Sequence, residues 1–173
     1  KKVDIYGEPR LSEFIHENFR IINIGLAFEI VIHAIDKEGI ISSEHDYHIS
    51  CCKADHSIPA FSFCIAEHPR PGVFNVEKAS KLSIPEGDLY RRLQHGEDVL
   101  VDGKLIKSNE VVGPNRKGRK IGISGDTRPS PELRDFFNSC DILIFESTYN
   151  HDYQIKAIET FHSTSTEAAL LAK

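Results

Sequence analysis

The sequence predicts an α/β domain built on a mixed sheet, and three stretches carry that reading. KIGIS, PELRDFF and DILIF follow one another between residues 120 and 145 as apolar strand, helix and apolar strand. That is a βαβ unit, whose short crossover implies parallel pairing. FEIVIHAID, GIISS, DYHISCC and AFSFCIAE are β-rich runs punctuated by Gly and Pro, which points to antiparallel sheet. The chain opens on a short strand and a helix.

Taken in order, Val3 to Tyr6 read as a strand, and after Gly7 and Pro9 the spacing Leu11, Phe14, Ile15, Phe19 gives one apolar helical face. Four candidate strands follow up to Glu67, the loop ADHSIP lying between the third and fourth. From Pro69 to Gly113 the texture changes to NVEKASKL and DLYRRLQ as short helices and DVLVDGKLI as a hairpin turning at Asp102 and Gly103. Few large apolar residues occur in that segment, so it reads as an arm or a surface excursion. In the last third DILIF is continuously apolar, which predicts a strand covered on both faces. Thr164 and Glu167 have capping-box spacing before AALLAK, placing His162 just ahead of a helix.

A chain of 173 residues with 40% hydrophobic content can bury a real core. No apolar run approaches the roughly 20 residues that cross a bilayer, so a soluble, cytoplasmic protein is expected, with no membrane partner. Cys51, Cys52, Cys64 and Cys140 lack any CxxC spacing and read as reduced, buried thiols. The net charge of -5 argues against coating nucleic acid by bulk charge, but YRRLQH, with Arg91 and Arg92, and NRKGRK are basic enough to touch phosphates.

Functional groups gather beyond the carboxyl ends of parallel strands, where Asp126 in SGDTRP and Glu146 in FESTYN both sit. Neighbouring strands lie roughly 4.8 Å apart, so the two carboxylates could share a site. Equally, Asp126 could cap its own turn and Glu146 could be solvated. His33 lies within a strand, His56 in the tight ADHSIP loop and His162 at a helix entrance that favours anions. A His, Asp, Glu, His set fits a hydrolytic metal site without defining one.

The strings GRKIGISGDTRPS, DILIFESTY and HSTSTEAALLAK, together with KVDIYGEP, DHSIPAFSF and the run from RPGVFNVEKA to VVGPNRKGRK, resemble the tRNase Z family of zinc-dependent tRNA 3'-processing endoribonucleases, of the metallo-β-lactamase superfamily. The resemblance runs along essentially the whole chain. It implies an αββα sandwich, incomplete here, with residues 1–66 as the first part, 67–96 as an inserted tRNA-binding arm and 97–173 as the continuation. By the same resemblance Asp126 would bridge two zinc ions and His56 would bind one of them. His162 of the HST motif would act at the scissile phosphate, with Glu146, in the family's HEAT segment, orienting it. Arg91 and Arg92 would contact precursor tRNA, and a homodimer is expected in which one subunit's arm serves the other's substrate.

Two zinc ions assist in-line attack on a phosphodiester and stabilise its charge. The implied products are a tRNA ending in a 3'-hydroxyl and a trailer with a 5'-phosphate. Each zinc takes about four donors, and the motifs supply only Asp126 and His56. The family's HxHxDH signature and its last histidine ligand are absent, so the chain is expected to be the central part of a longer enzyme and itself inactive. Phe145 stands in place of the HEAT histidine, and PEGDLYRRLQ follows the arm pattern only loosely. The alternatives are another hydrolase of the same fold, acting on phosphodiesters or arylsulfates, and a degenerate subunit without activity.

Overall fold

The computed structural model describes residues 1–22 and 25–173, which form two compact units, one of Lys1–Glu67 with Arg119–Lys173 and the other of His68–Gly118. The first unit opens with β1 (Lys2–Gly7), α1 (Leu11–Ile22), β2 (Glu29–Ala34), β3 (Gly39–Ser43), β4 (Tyr47–Lys53) and β5 (Phe61–Glu67). The second holds α2 (Val76–Lys81), α3 (Asp88–Gln94), β6 (Val99–Val101), β7 (Lys104–Ile106) and α4 (Ser108–Val111). The first resumes with β8 (Lys120–Ile123), α5 (Pro131–Phe137), β9 (Ile142–Ile144), a 3-10 turn at His151–Tyr153, α6 (Gln154–Glu159) and α7 (Ser165–Leu171). Among the described residues no helix is long and apolar enough to cross a membrane.

β1 and β2 pair in parallel from Lys2–Glu29 to Gly7–Ala34, with α1 as the crossover between them. Sequence pattern groups β2 with the antiparallel strands, and the structure corrects this. The amide of Ile35 donates to the carbonyl of Gly7 at 2.8 Å, and Ile35 is buried, so the chain stays on β1 before it turns into β3. On α1, Leu11, Ile15 and Phe19 are half-buried while Phe14 is exposed.

The main sheet runs β3-β4-β5-β8-β9, antiparallel as far as β8 and parallel between β8 and β9. α5 is the crossover that the sequence predicts. Ser130 caps it by accepting from Leu133 N, Pro131 occupies its first turn, and Lys120 Nζ donates to Phe136 O at 2.6 Å and Asn138 O at 3.0 Å beyond its last turn. The helix lies so close to β8 that a Cβ on Gly122 would come within 2.5 Å of the Phe137 ring.

Cys64, Leu133, Phe137 and Leu171 form the core on this face, with Leu143 and Phe145 packed beside them. Burying a leucine such as Leu133 contributes about 1.5–3 kcal/mol. On the opposite face Ile142 and Ile144 are 55% and 57% exposed, which corrects the expectation that the DILIF strand is covered on both sides. β9 is an edge strand, and α5 and α7 shield only the side on which Leu143 projects. The four cysteines are free thiols, and burial pushes Cys52 up to about 11 and Cys64 up to about 12.

The second unit has its own core of Ala79, Ile84, Leu93, Val99, Val101, Ile106 and Val111, despite the scarcity of large apolar side chains. Three short helices and the β6–β7 hairpin each contribute aliphatic residues to one centre, Leu93 from α3 and Ile106 from the hairpin being the largest that are fully buried. Because the hairpin and α4 share that core, the unit extends from His68 to Gly118, past the 67–96 segment assigned to the arm. The hairpin turns at Asp102 and Gly103, both with positive φ (48° and 80°), as its sequence requires.

Candidate metal and catalytic site

Three loops of the first unit bring the candidate residues together at the carboxyl ends of β8 and β9. After β8, Gly125 adopts a left-handed φ of 62°, which turns the chain so that Asp126 stands beyond the strand end. The β9 end is tied to this turn, since Ser124 N donates to Ile144 O at 3.0 Å and Glu146 N donates to Ser124 Oγ at 2.9 Å.

His56 comes from the loop between β4 and β5. Asp55 N donates to Thr127 Oγ1 at 2.9 Å, and Arg128 N donates to Asp55 O at 2.8 Å, so this loop is bridged to the one carrying Asp126. His56 Nδ1 lies 2.9 Å from the carbonyl of Phe161. A carbonyl only accepts, so Nδ1 carries the hydrogen and Nε2 keeps its lone pair for a cation. Phe161 presents that carbonyl from a left-handed φ of 57°, a conformation costing a non-glycine residue about 1–2 kcal/mol.

His162 follows at once. Its Nδ1 is 2.9 Å from Glu146 Oε1, with side chains only 20% and 10% exposed. Glu146 also accepts from Thr127 N at 3.0 Å and from Thr148 N and Oγ1 at 3.0 and 2.9 Å. It is therefore an anchored carboxylate and not a solvated one. Burial pushes its pKa up, but the hydrogen bonds from Thr148, Thr127 and Ser163 outweigh burial and hold it below the ordinary glutamate value. The carboxylate accepts a hydrogen bond from Nδ1–H of His162, which leaves Nε2 pointing away from Glu146.

One donor atom from each of His56, Asp126 and His162 lies within 4.8 Å of the others, and the two imidazoles meet edge to face at 5.0 Å between centroids. Two imidazole nitrogens with fixed tautomers and a carboxylate fit a divalent ion of borderline softness such as zinc. Three donors among the described residues fall short of the number that two such ions take. Of the sequence candidates, His56, Asp126, Glu146 and His162 thus converge, Glu146 acting on His162 from behind. His33 lies apart on the β1–β2 pair, 2.7 Å from Asp4 and stacked on Tyr6.

Arg91 and Arg92 belong to the second unit, on α3. Each is paired within that unit, Arg91 with Asp88 at 2.5 Å and Arg92 with Glu97 at 2.8 Å. Such exposed pairs are worth about 0–1 kcal/mol, so an incoming phosphate could replace either carboxylate.

Arg128 and Thr148 have no role assignable from sequence, although both stand in the recognised strings. The Arg128 guanidinium pairs bidentately with Glu167 and donates to the carbonyl of His162 at 2.6 Å. Beside Arg128, and despite partial burial, the Glu167 carboxyl is held down to about 2. Thr148 Oγ1 sits between Glu146 Oε2 and His162 Nδ1, 3.2 Å from the latter. Only the capping-box spacing hinted at Glu167, and nothing local reveals its partner 39 residues earlier.

No protein-family model matches the chain. Ribonuclease Z of Nitrosopumilus maritimus is 47% identical over 173 residues, covering 100% of this chain and 58% of that protein. Ribonuclease Z of Myxococcus xanthus is 38% identical over 172 residues, covering 99% and 56%. The chain therefore spans a little over half the length of these curated relatives. Among solved structures, the short form of human tRNase Z superposes with a TM-score of 0.62 at 20% identity, over 99% of this chain and 56% of that one. The metallo-β-lactamase fold protein YhfI from Bacillus subtilis superposes with a TM-score of 0.52 at 14% identity, over 99% and 47%. Both likenesses establish the fold, a mixed α/β architecture that is an incomplete metallo-β-lactamase fold.

Proposed function

The chain belongs to the ribonuclease Z family of the metallo-β-lactamase superfamily, and from that premise we propose that the protein is a zinc-dependent endoribonuclease that removes the 3' trailer from precursor tRNA. The observation that carries this reading is the convergence of His56, Asp126 and His162 from three separate loops, with the tautomer of each histidine fixed by a partner at Nδ1. His56 and Asp126 hold the cation side of the site. When bound, two zinc ions would supply Lewis acidity toward the phosphodiester and the attacking water.

The chain's own residues divide the remaining work. Glu146, held by Thr127 and Thr148, keeps the His162 ring in one orientation through Nδ1. As an imidazolium, with Nδ1–H held by Glu146, His162 carries its second proton on Nε2, which faces the scissile phosphate and gives that proton to the departing 3'-oxygen of the tRNA as the bond to phosphorus breaks. The products are a tRNA 3'-hydroxyl and a trailer 5'-phosphate. The second unit grips the tRNA, with Arg91 and Arg92 exchanging Asp88 and Glu97 for backbone phosphates. We further assign the protein to the cytoplasm, where precursor tRNA is its partner, and to a homodimer in which this unit serves the opposite subunit's substrate.

The test is incubation of the zinc-loaded protein with end-labelled precursor tRNA, followed by analysis of both new ends. Since three donors cluster among the described residues, full activity is expected from the protein in the length of its relatives and little from residues 1–173 alone. Failure of the longer protein to release a 5'-phosphorylated trailer, under conditions where a control ribonuclease Z does so, would overturn the reading. Cleavage of a small phosphodiester but not of tRNA would move the substrate to another class.

A further inference from the structure

We propose that Arg128 is the positioning residue that sets the three donor-bearing loops in register; the proposal rests on the reading of His56, Asp126 and His162 as the reaction site. Arg128 stands two residues from Asp126 and reaches both other loops. Its backbone amide donates to Asp55 O at 2.8 Å, beside His56. Its Nη1 donates to His162 O at 2.6 Å and to Glu167 Oε2 at 2.9 Å, and its Nη2 pairs with Glu167 Oε1.

The partner carboxylate is itself committed. Glu167 accepts from Thr164 N at 2.9 Å and Thr164 Oγ1 at 3.0 Å, closing the capping box of α7. The planar guanidinium therefore grips the backbone of His162 and the helix cap that follows it at the same time, with both side chains only 15% exposed. A lysine ammonium lacks that rigid fork and cannot reproduce the bidentate contact. Pro129 restricts Arg128 to extended backbone, which suits its bridge to Asp55. The ring of His162 is held by Glu146 and its amide by Ala157 O at 2.8 Å, while its carbonyl is held by Arg128. Without the guanidinium, the peptide between His162 and Ser163 loses that anchor and the ring can drift from the other two donors.

Four variants test this: Arg128→Lys, Arg128→Met, the double variant Arg128→Met with Glu167→Gln, and Arg20→Met as a distant control from the exposed pair with Glu17. The double variant removes the orphaned buried carboxylate yet leaves an oxygen for the Thr164 cap, so it keeps the measurement interpretable where Arg128→Met folds poorly. In the metal-free protein, nitrogen-15 NMR should show a protected Nδ1 proton on His162. The double variant should exchange that proton at least tenfold faster with its melting temperature restored, and Arg20→Met should not. Cobalt(II) titration should show at least a tenfold loss of affinity in Arg128→Lys and in the double variant. Exchange and cobalt affinity within twofold of wild type in the stable double variant would overturn the proposal and reduce Arg128 to a stability element. A wild-type protein in the length of its relatives that protects the His162 proton but binds no cobalt and cleaves no RNA would instead overturn the reading of the site, and the proposal with it.

Discussion

Acidification should loosen the link between Arg128 and Glu167 well before the core yields. Glu167 has an unperturbed pKa of 4.5 and is held down to about 2 in the folded protein, first by the Arg128 hydrogen bonds. At 1.36 kcal/mol per unit, that depression corresponds to about 3 kcal/mol of stability, reduced to about 2–3 kcal/mol by residual solvent contact. A depressed carboxylate contributes fully above its unfolded pKa and loses that contribution as pH falls through its folded one. The stabilisation is therefore present above roughly pH 5 and disappears toward pH 2. Urea denaturation of wild type and Glu167→Gln at pH 7 and pH 3 isolates it, because Glu146, also depressed, contributes with the same sign in both proteins and cancels. The gap between the two proteins should shrink by more than about 1 kcal/mol at pH 3. A gap unchanged across that range would refute the ion pair as the source.

Other perturbations separate roles within the site and between the units. Glu146→Gln should lower kcat for trailer release by about 10–100-fold with KM little changed, because it loosens the orientation of His162 without touching substrate; steady-state kinetics on precursor tRNA decide this. Replacing His68–Gly118 with a short linker is feasible because Glu67 N already donates to Arg119 O at 2.9 Å. The resulting protein should lose tRNA cleavage far more than hydrolysis of bis-p-nitrophenyl phosphate, and equal losses would remove the proposed grip on tRNA. Leu133→Ala, at a fully buried position under the sheet, should cost about 2–5 kcal/mol in chemical denaturation with no change in the order of the loops above it.

Local pattern made much of this architecture readable. PELRDFF carries its own cap and proline, and its helix begins and ends where the pattern says. Asp102 and Gly103 encode their turn in two residues, and Thr164 with Glu167 encode a helix start in four. What escaped depends on distant partners. Whether β2 pairs with β1 or β3 is decided by Ile35 meeting Gly7, a contact that no window around either residue contains. DILIF reads as doubly covered because hydropathy records the side chains and not what lies over them, and Ile142 and Ile144 stay exposed. The clustering of His56, Asp126, Glu146 and His162 was legible through their motifs, and the structure places the four side chains together. Arg128 was not, because its meaning lies in a carbonyl 34 residues away.

The central claim is that three loops bring His56, Asp126 and His162 to one site, with His56 and Asp126 on its cation side and His162 beside them, and zinc titration of the nitrogen-15-labelled protein tests it most directly. The Nε2 resonance of His56 should shift as it binds the ion, that of His162 should respond to the neighbouring charge over the same binding curve, with both Nδ1 protons retained, and Asp126→Asn should weaken that curve at both histidines. Independent curves for the two rings, or curves indifferent to Asp126→Asn, would contradict the account.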